Sequence, residues 1–277
     1  MTTTIPRPSR TARGTACFER GAGSPIVFIH GVGMNAEAWE PQMDFFAADH
    51  RVIALDMPGH GETPPLPGTP GLDDYVAWAA AAIEDLGAAP CDLVGHSMGG
   101  LIVTGLALAR PDLVSRVAAL NAVYDREDAA RAAVQARAAE IVASGDAGDV
   151  EAPLRRWFGA TAEPRHRALV ERVRGWLAAV PPAGYATAYQ VFAISDRAHV
   201  GRLPGLACPA LFLTGELDPN STPAMSEAMA DAAPFGRAVI MAGERHMLNL
   251  TAPAETNRIL AEHFARPLQA IRQPAGR

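Results

Sequence analysis

A doubly wound α/β fold, a mostly parallel sheet with helices on both faces, is what this 277-residue sequence predicts. Two observations carry that expectation. Short apolar runs end repeatedly in turn signals, as strands buried on both faces do. Helical stretches alternate with those runs, the pattern that feeds parallel strands.

The runs are, in order, 25–29 (PIVFI), 52–55 (VIAL), 92–94 (DLV), 116–120 (RVAAL), 210–213 (ALFL) and 239–241 (VIM). The first three lead into HGVG, DMPGHG and GHSMGG. A helix is predicted over 73–86, with an acidic pair at its start and Gly87 as its stop. Residues 98–109 are apolar all round and halt before Pro111, which marks a buried helix. A last helix is predicted over about 254–265. Between Tyr124 and Leu203 the alternation stops. Four helices are predicted there (126–143, 150–158, 165–180 and 185–197), punctuated by Gly145, Gly148, Pro164, Pro181 and Pro182. The expected organisation is a disordered arm over 1–14, a core made of 15–122 and 204–267, a helical cap over 123–203, and a flexible tail over 268–277.

Composition narrows the chemistry. The hydrophobic share of 49% and charged share of 19% suit a soluble chain with a sizeable core, and the net charge of −6 predicts no nucleic-acid partner. The 24 basic residues are all arginine. Without lysine there is no Schiff base on a side chain, no Walker-type phosphate loop and no Ser-Lys dyad. Cys17, Cys91 and Cys208 are odd in number and widely spaced, neither a disulfide framework nor a zinc pattern, so buried reduced thiols and a cytoplasmic location are expected. No signal peptide or membrane span is read from the sequence, and no cofactor or metal is expected.

Gly95-His96-Ser97-Met98-Gly99 is a G-x-S-x-G motif between a strand and a helix. A serine on so sharp a turn is lifted clear of the sheet, and side chains two positions either side would collide with the turn. The Met98 N–H opens the following helix and adds its dipole to a developing oxyanion. The base and the acid follow in chain order. His166 and His199 fall in the cap and His263 inside the last helix, leaving His246, in a loop after a strand. Asp218 ends a strand and is the first candidate acid, although Asp-Pro is also a turn signal. Asp125, after the preceding strand, is the rival. The second oxyanion donor is expected from the loop after the first long run, at the Val32 N–H, with His30 ordering that loop at the edge of the substrate pocket.

Residues from about Gly23 to Ala265 resemble the α/β-hydrolase superfamily in its smaller, capped branch. The carrying signals are His30-Gly31, Asp56 to Gly61, Gly95 to Gly100, Gly215 to Asp218 and Gly243 to His246. Bacterial carboxylesterases and 3-oxoadipate enol-lactonase-like proteins look most similar. The resemblance implies an eight-stranded sheet under a helical cap. It implies Ser97 as nucleophile, Asp218 as acid, His246 as base, and Val32 and Met98 as oxyanion donors. A serine at the elbow speaks against the aspartate-dependent dehalogenases and epoxide hydrolases, and His96 before it speaks against many carbon–carbon bond hydrolases.

The cap supplies the substrate surface. Of Trp157, Phe158, Trp176, Tyr185, Tyr189 and Phe192, most are expected to pack the cap onto the core, while Trp157, Trp176, Tyr189 and Phe192 are the pocket candidates. Residues 155–202 carry eight arginines against three acids, an excess read as a solvated helix face rather than as steering for an anionic substrate. The expected function is hydrolysis of a small carboxylic ester or lactone through an acyl-enzyme, by a monomer or homodimer. The alternatives are a carbon–carbon bond hydrolase of a ring-cleavage product and a non-catalytic small-molecule receptor.

Overall fold

The computed structural model describes residues 8–145, 149–159 and 163–268. Strand β1 (Ser9–Arg10), β2 (Ala16–Arg20) and β3 (Ser24–Ile29) open the chain, followed by helix α1 (Glu40–Phe46), β4 (His50–Leu55), α2 (Leu72–Asp85), β5 (Cys91–His96), α3 (Met98–Ala109) and β6 (Val114–Leu120). Four helices then precede the next strand: α4 (Asp128–Ser144), α5 (Glu151–Phe158), α6 (Arg167–Ala179) and α7 (Pro182–Ile194). The chain returns to the sheet with β7 (Ala210–Gly215), α8 (Pro223–Ala232), β8 (Gly236–Met241), a short α9 (Leu248–Thr251) and α10 (Pro253–Phe264).

The eight strands form one sheet in the order β1-β2-β4-β3-β5-β6-β7-β8. The β1-β2 and β2-β4 pairs are antiparallel and every later pair is parallel. Successive side chains on a strand face opposite ways, so each parallel strand feeds two cores. Val27, Ile29, Ile53, Leu55 and Leu93 pack with α2, α3 and α8 on one face. Ile26, Phe28, Val52, Ala54 and Val94 pack with α1 and α10 on the other. This two-sided burial is why the strands read as continuous apolar runs. A Leu or Ile buried in such a layer contributes about 1.5–3 kcal/mol. The helices between β6 and β7 make a third cluster, in which Leu154, Trp157, Val173, Trp176 and Tyr185 meet Met34 and Met247 from loops and Leu250 from α9.

The N-terminal arm departs from expectation. Residues 8–14 are not a disordered arm: Ser9 and Arg10 pair with Cys17 and Ala16, and the Arg13 guanidinium bonds Asp85 at 2.6 Å. The edge of the sheet offers unpaired backbone groups to any nearby segment, and a two-residue strand has too short a pattern to be read from sequence. Residues 1–7 and most of the predicted flexible tail, 269–277, lie outside the described residues. The sequence reading also missed α1 and α8, which bury few apolar side chains, Met43 and Phe46 in the first and Met229 in the second. Among the described residues, no helix is long and apolar enough to cross a membrane.

Candidate active site

Ser97 sits between β5 and α3 at φ 55°, ψ −115°, a backbone region that costs a non-glycine residue about 1–3 kcal/mol. Two contacts hold it there: its N–H donates to Leu120 O at 2.8 Å, and its own carbonyl accepts from Gly100 N–H at 2.9 Å. The flanking glycines permit the crossing of strand and helix. A Cβ on Gly95 would lie 2.1 Å from Gly99 O, and one on Gly99 would lie 2.2 Å from Ile29 O. Both neighbours are backbone, so neither can move aside cheaply. Gly95→Ala is therefore expected to cost more than about 4 kcal/mol, beyond the usual range for point variants. Urea unfolding of soluble protein measures it, and a variant within 1 kcal/mol of wild type would contradict this account.

His246 follows β8. Its Nδ1 bonds Asp218 Oδ2 at 2.7 Å, with both residues buried. The two Asp218 oxygens have separate tasks. Oδ1 accepts from the N–H groups of Asn220 at 2.8 Å and Ser221 at 3.2 Å, closing a local turn. Oδ2 accepts from His246 and from Asn121 Nδ2 at 2.8 Å. The turn reading and the functional reading of Asp218 thus describe one carboxylate. Burial works to raise its pKa, but the charge and hydrogen bond of His246, with the Asn220 and Asn121 donors, hold it below the usual carboxylate value. Asp125, the rival acid, is instead paired with Arg131 at 3.3 Å and Arg197 at 3.1 Å.

Asn121 and His96 support this pair, and the sequence reading assigned neither that role. Asn121 follows β6 at φ 49°, a conformation asparagine tolerates better than most residues. That turn brings its amide to Asp218, while Ser221 Oγ donates to its carbonyl at 2.6 Å. An asparagine directly after a strand was the available signal. His96 donates from Nε2 to the His246 carbonyl at 2.8 Å, with the two rings 4.9 Å apart. It fixes the backbone of the loop that carries His246. Loss of the Asn121 amide is expected to lower kcat about 10-fold in Asn121→Ala, measured with KM near its wild-type value, because the carboxylate keeps its charge but loses an orienting donor. An unchanged kcat would remove Asn121 from the site.

The Gly31-Val32-Gly33 loop is bracketed by two buried histidines. His30 donates from Nδ1 to Gly31 O at 2.8 Å and accepts from Met57 N–H at Nε2, 2.9 Å. His60 accepts from Gly33 N–H at Nε2, 3.0 Å, while its Nδ1 faces Pro58 O at 3.3 Å. Each ring can do this only as the neutral Nδ1–H tautomer. Burial lowers His60 to about 4 and His96 to about 3, and it pushes His30 well below its ordinary value of 6.5, with His60 adding to the effect. The folded protein therefore keeps rings neutral that an unfolded chain would protonate below pH 6.5. The unfolded state binds more protons in that window, so stability present above pH 6.5 is lost as the pH falls toward 4. A melting temperature that stayed constant from pH 6.5 to 4.5 would contradict this.

A cavity of about 420 Å³ is bordered by both Ser97 and His246. Its wall includes Val32 from the loop, Trp157 from α5, Tyr185, Tyr189 and Phe192 from α7, and Met225 from α8. Trp157 stacks on the His246 ring at 5.8 Å. Two pocket candidates need correction. His30 is fully buried beneath the loop and does not border the cavity, because both ring nitrogens are committed to backbone. Trp176 also lies away from it, its Nε1 donating to Glu37 Oε2 at 3.3 Å and its ring under Arg172. Of the six large aromatics between Trp157 and Phe192, Trp157, Tyr185, Tyr189 and Phe192 border the cavity, Tyr185 in place of the candidate Trp176, and Phe158 and Trp176 do not. The arginine excess of residues 155–202 is mostly spent on surface ion pairs, with Asp149, Glu163, Glu40, Glu151 and Asp125 as partners. Among the described residues, no group of three or more His, Cys, Asp or Glu is arranged to hold a metal ion.

Similarity to known proteins agrees with this architecture. Over 243 residues the chain is 49% identical to the (E)-2-((N-methylformamido)methylene)succinate hydrolase of Acinetobacter baylyi, covering 88% of this chain and 91% of that protein. Its fold matches an esterase from Thermogutta terrifontis with a TM-score of 0.81 at 24% identity, covering 93% and 96% of the two chains. It also matches the enol-lactonase of Burkholderia xenovorans LB400 with a TM-score of 0.79 at 23% identity, covering 91% and 97%. Residues 26–259 match the model of the alpha/beta hydrolase family. That match spans most of the chain, and the chain belongs to the alpha/beta hydrolase family.

Proposed function

We propose that the protein is a serine hydrolase in which Ser97 attacks a carbonyl carbon, His246 carries the proton and Asp218 orients His246. The observation that carries this reading is the 2.7 Å His246–Asp218 bond at a cavity that Ser97 also borders. With Nδ1 committed to Asp218, Nε2 is the nitrogen left to accept the Ser97 proton. The N–H groups of Val32 and Met98 take up the charge on the carbonyl oxygen, each worth roughly 3 kcal/mol in the transition state. A receptor on the same fold would have no use for a strained serine, which costs stability and adds nothing to ligand binding.

The 49% identical relative is named for a methylidene succinate that carries an N-methylformamide. That likeness supports an acyl enamide with carboxylate groups as the substrate class, ahead of the simple ester or lactone that the sequence suggests first. Ser97 Oγ would bond to the formyl carbon, and the carbon–nitrogen bond would break as His246 returns the proton to the leaving nitrogen. A water deprotonated by His246 would then release formate from Ser97.

The test is incubation of the purified protein with (E)-2-((N-methylformamido)methylene)succinate and, separately, with p-nitrophenyl acetate. Formate release that disappears in Ser97→Ala is the expected result. Ester turnover with no attack on the enamide would return the reading to an esterase. Products of carbon–carbon cleavage would favour the ring-cleavage alternative, and no Ser97-dependent turnover of any substrate would overturn the proposal.

A further inference from the structure

Beside Ser97 and His246, the cavity wall contains a cation whose hydrogen bonding is incomplete. Arg126 borders the cavity and is 4% exposed. Its Nη1 is buried with no acceptor among the described residues. The nearest carboxylate oxygen, Asp196 Oδ1, is 3.6 Å from Nη1, too far for a hydrogen bond. Asp196 is already engaged elsewhere: its Oδ2 accepts from the Arg126 backbone N–H at 2.9 Å and from Arg131 Nε at 3.1 Å. One buried carboxylate thus serves two guanidinium groups. The Arg126 guanidinium carbon lies 4.5 Å over the Phe192 ring, which also borders the cavity. An aromatic face tolerates a cation but supplies no acceptor.

Burying a charged donor without an acceptor is costly, and such a group persists where something else completes it. Exposed Arg156 also borders the cavity and makes no ion pair among the described residues. Asp125, on the same wall, is neutralised by Arg131 and Arg197, and Glu127 is exposed at the rim. A planar guanidinium on a semi-enclosed apolar wall is suited to the two oxygens of a carboxylate.

We propose that Arg126 is a carboxylate anchor, so that substrate lies with its reacting carbonyl at Ser97 and a carboxylate against the Arg126 guanidinium. The pose rests on the hydrolase reading above; the binding of a carboxylate does not. Binding energy gathered at Arg126, away from the reacting bond, serves to orient the carbonyl for attack.

Calorimetric titration of the Ser97→Ala protein, which cannot turn ligands over, tests it with methylenesuccinate dianion and its neutral dimethyl ester. The dianion is expected to bind more tightly than the diester. Adding Arg126→Gln should weaken the dianion on the order of 30-fold or more, as loss of one partner of a partly buried charge pair does, and change the diester less than about 3-fold. Arg126→Lys keeps the charge but not the fork, and should fall between. Equal weakening of both ligands, or a dianion that binds no better than the diester to the parent protein, overturns the proposal. If the Gln variant does not fold, the Lys variant decides by the same comparison. Loss of all Ser97-dependent turnover would overturn the hydrolase reading and leave this titration intact, so the two failures are distinguishable.

Discussion

Ser97→Ala is expected to lower kcat by on the order of 10⁵ to 10⁶ on whichever substrate the wild type hydrolyses, because the bond-forming atom is removed. The residual rate reports what the Val32 and Met98 N–H groups and the cavity contribute alone. The same position makes a second, opposite prediction. At φ 55° the serine backbone is strained, so Ser97→Gly should unfold at a higher urea concentration than wild type while being equally inactive. Gain of stability with loss of activity at one residue is the signature of strain kept for chemistry. Were Ser97→Gly less stable than wild type, the turn would be held for packing and not for the exposure of its hydroxyl.

Asp218→Asn is expected to lower kcat by on the order of 10⁴, the loss that follows when an amide replaces the carboxylate behind a catalytic histidine. The physical cause is specific here. Oδ2 accepts from both His246 Nδ1 and Asn121 Nδ2. An asparagine in that place would either present its own N–H₂ to one of two donors or force His246 into the other tautomer, with its proton on the nitrogen that should accept from Ser97. The carboxylate charge that stabilises the imidazolium is lost as well. Asp125→Asn, by contrast, should change kcat less than about 3-fold, because Asp125 serves Arg131 and Arg197. Steady-state kinetics on both variants compares the two acids directly. A larger loss at Asp125 than at Asp218 would reverse the assignment.

Residues that act through local pattern were legible in the sequence. The buried strands announced themselves because both faces are covered, which leaves no polar alternation. The elbow was legible because its requirements lie within five residues: no Cβ at 95 or 99, a serine between, a strand before and a helix after. Asp218 and His246 could be ranked because each follows an apolar run that predicts a strand. His30 was half legible. Its position before the loop pointed to an ordering role, but only the fold shows both ring nitrogens bound to backbone and hence no contact with the cavity.

What the sequence determined by itself is the α/β class, the existence of β3 to β8 and the position of Ser97 between a strand and a helix, since those depend on hydrophobic period, glycine spacing and chain order. The tertiary structure alone decided how side chains far apart in the chain share hydrogen bonds. Asn121 reaches Asp218 across 97 positions, and His96 reaches the His246 carbonyl across 150. Arg126 is the plainest case. It lies outside the arginine-rich stretch that drew attention in the sequence, and most of that stretch is neutralised by surface ion pairs. No local pattern distinguishes an arginine on a solvated helix from one on a cavity wall. The difference is that Asp196, 70 positions away, gives its Oδ2 to Arg131 and to the Arg126 backbone and holds its Oδ1 3.6 Å from Arg126 Nη1, leaving a buried donor with no acceptor in hydrogen-bond reach among the described residues.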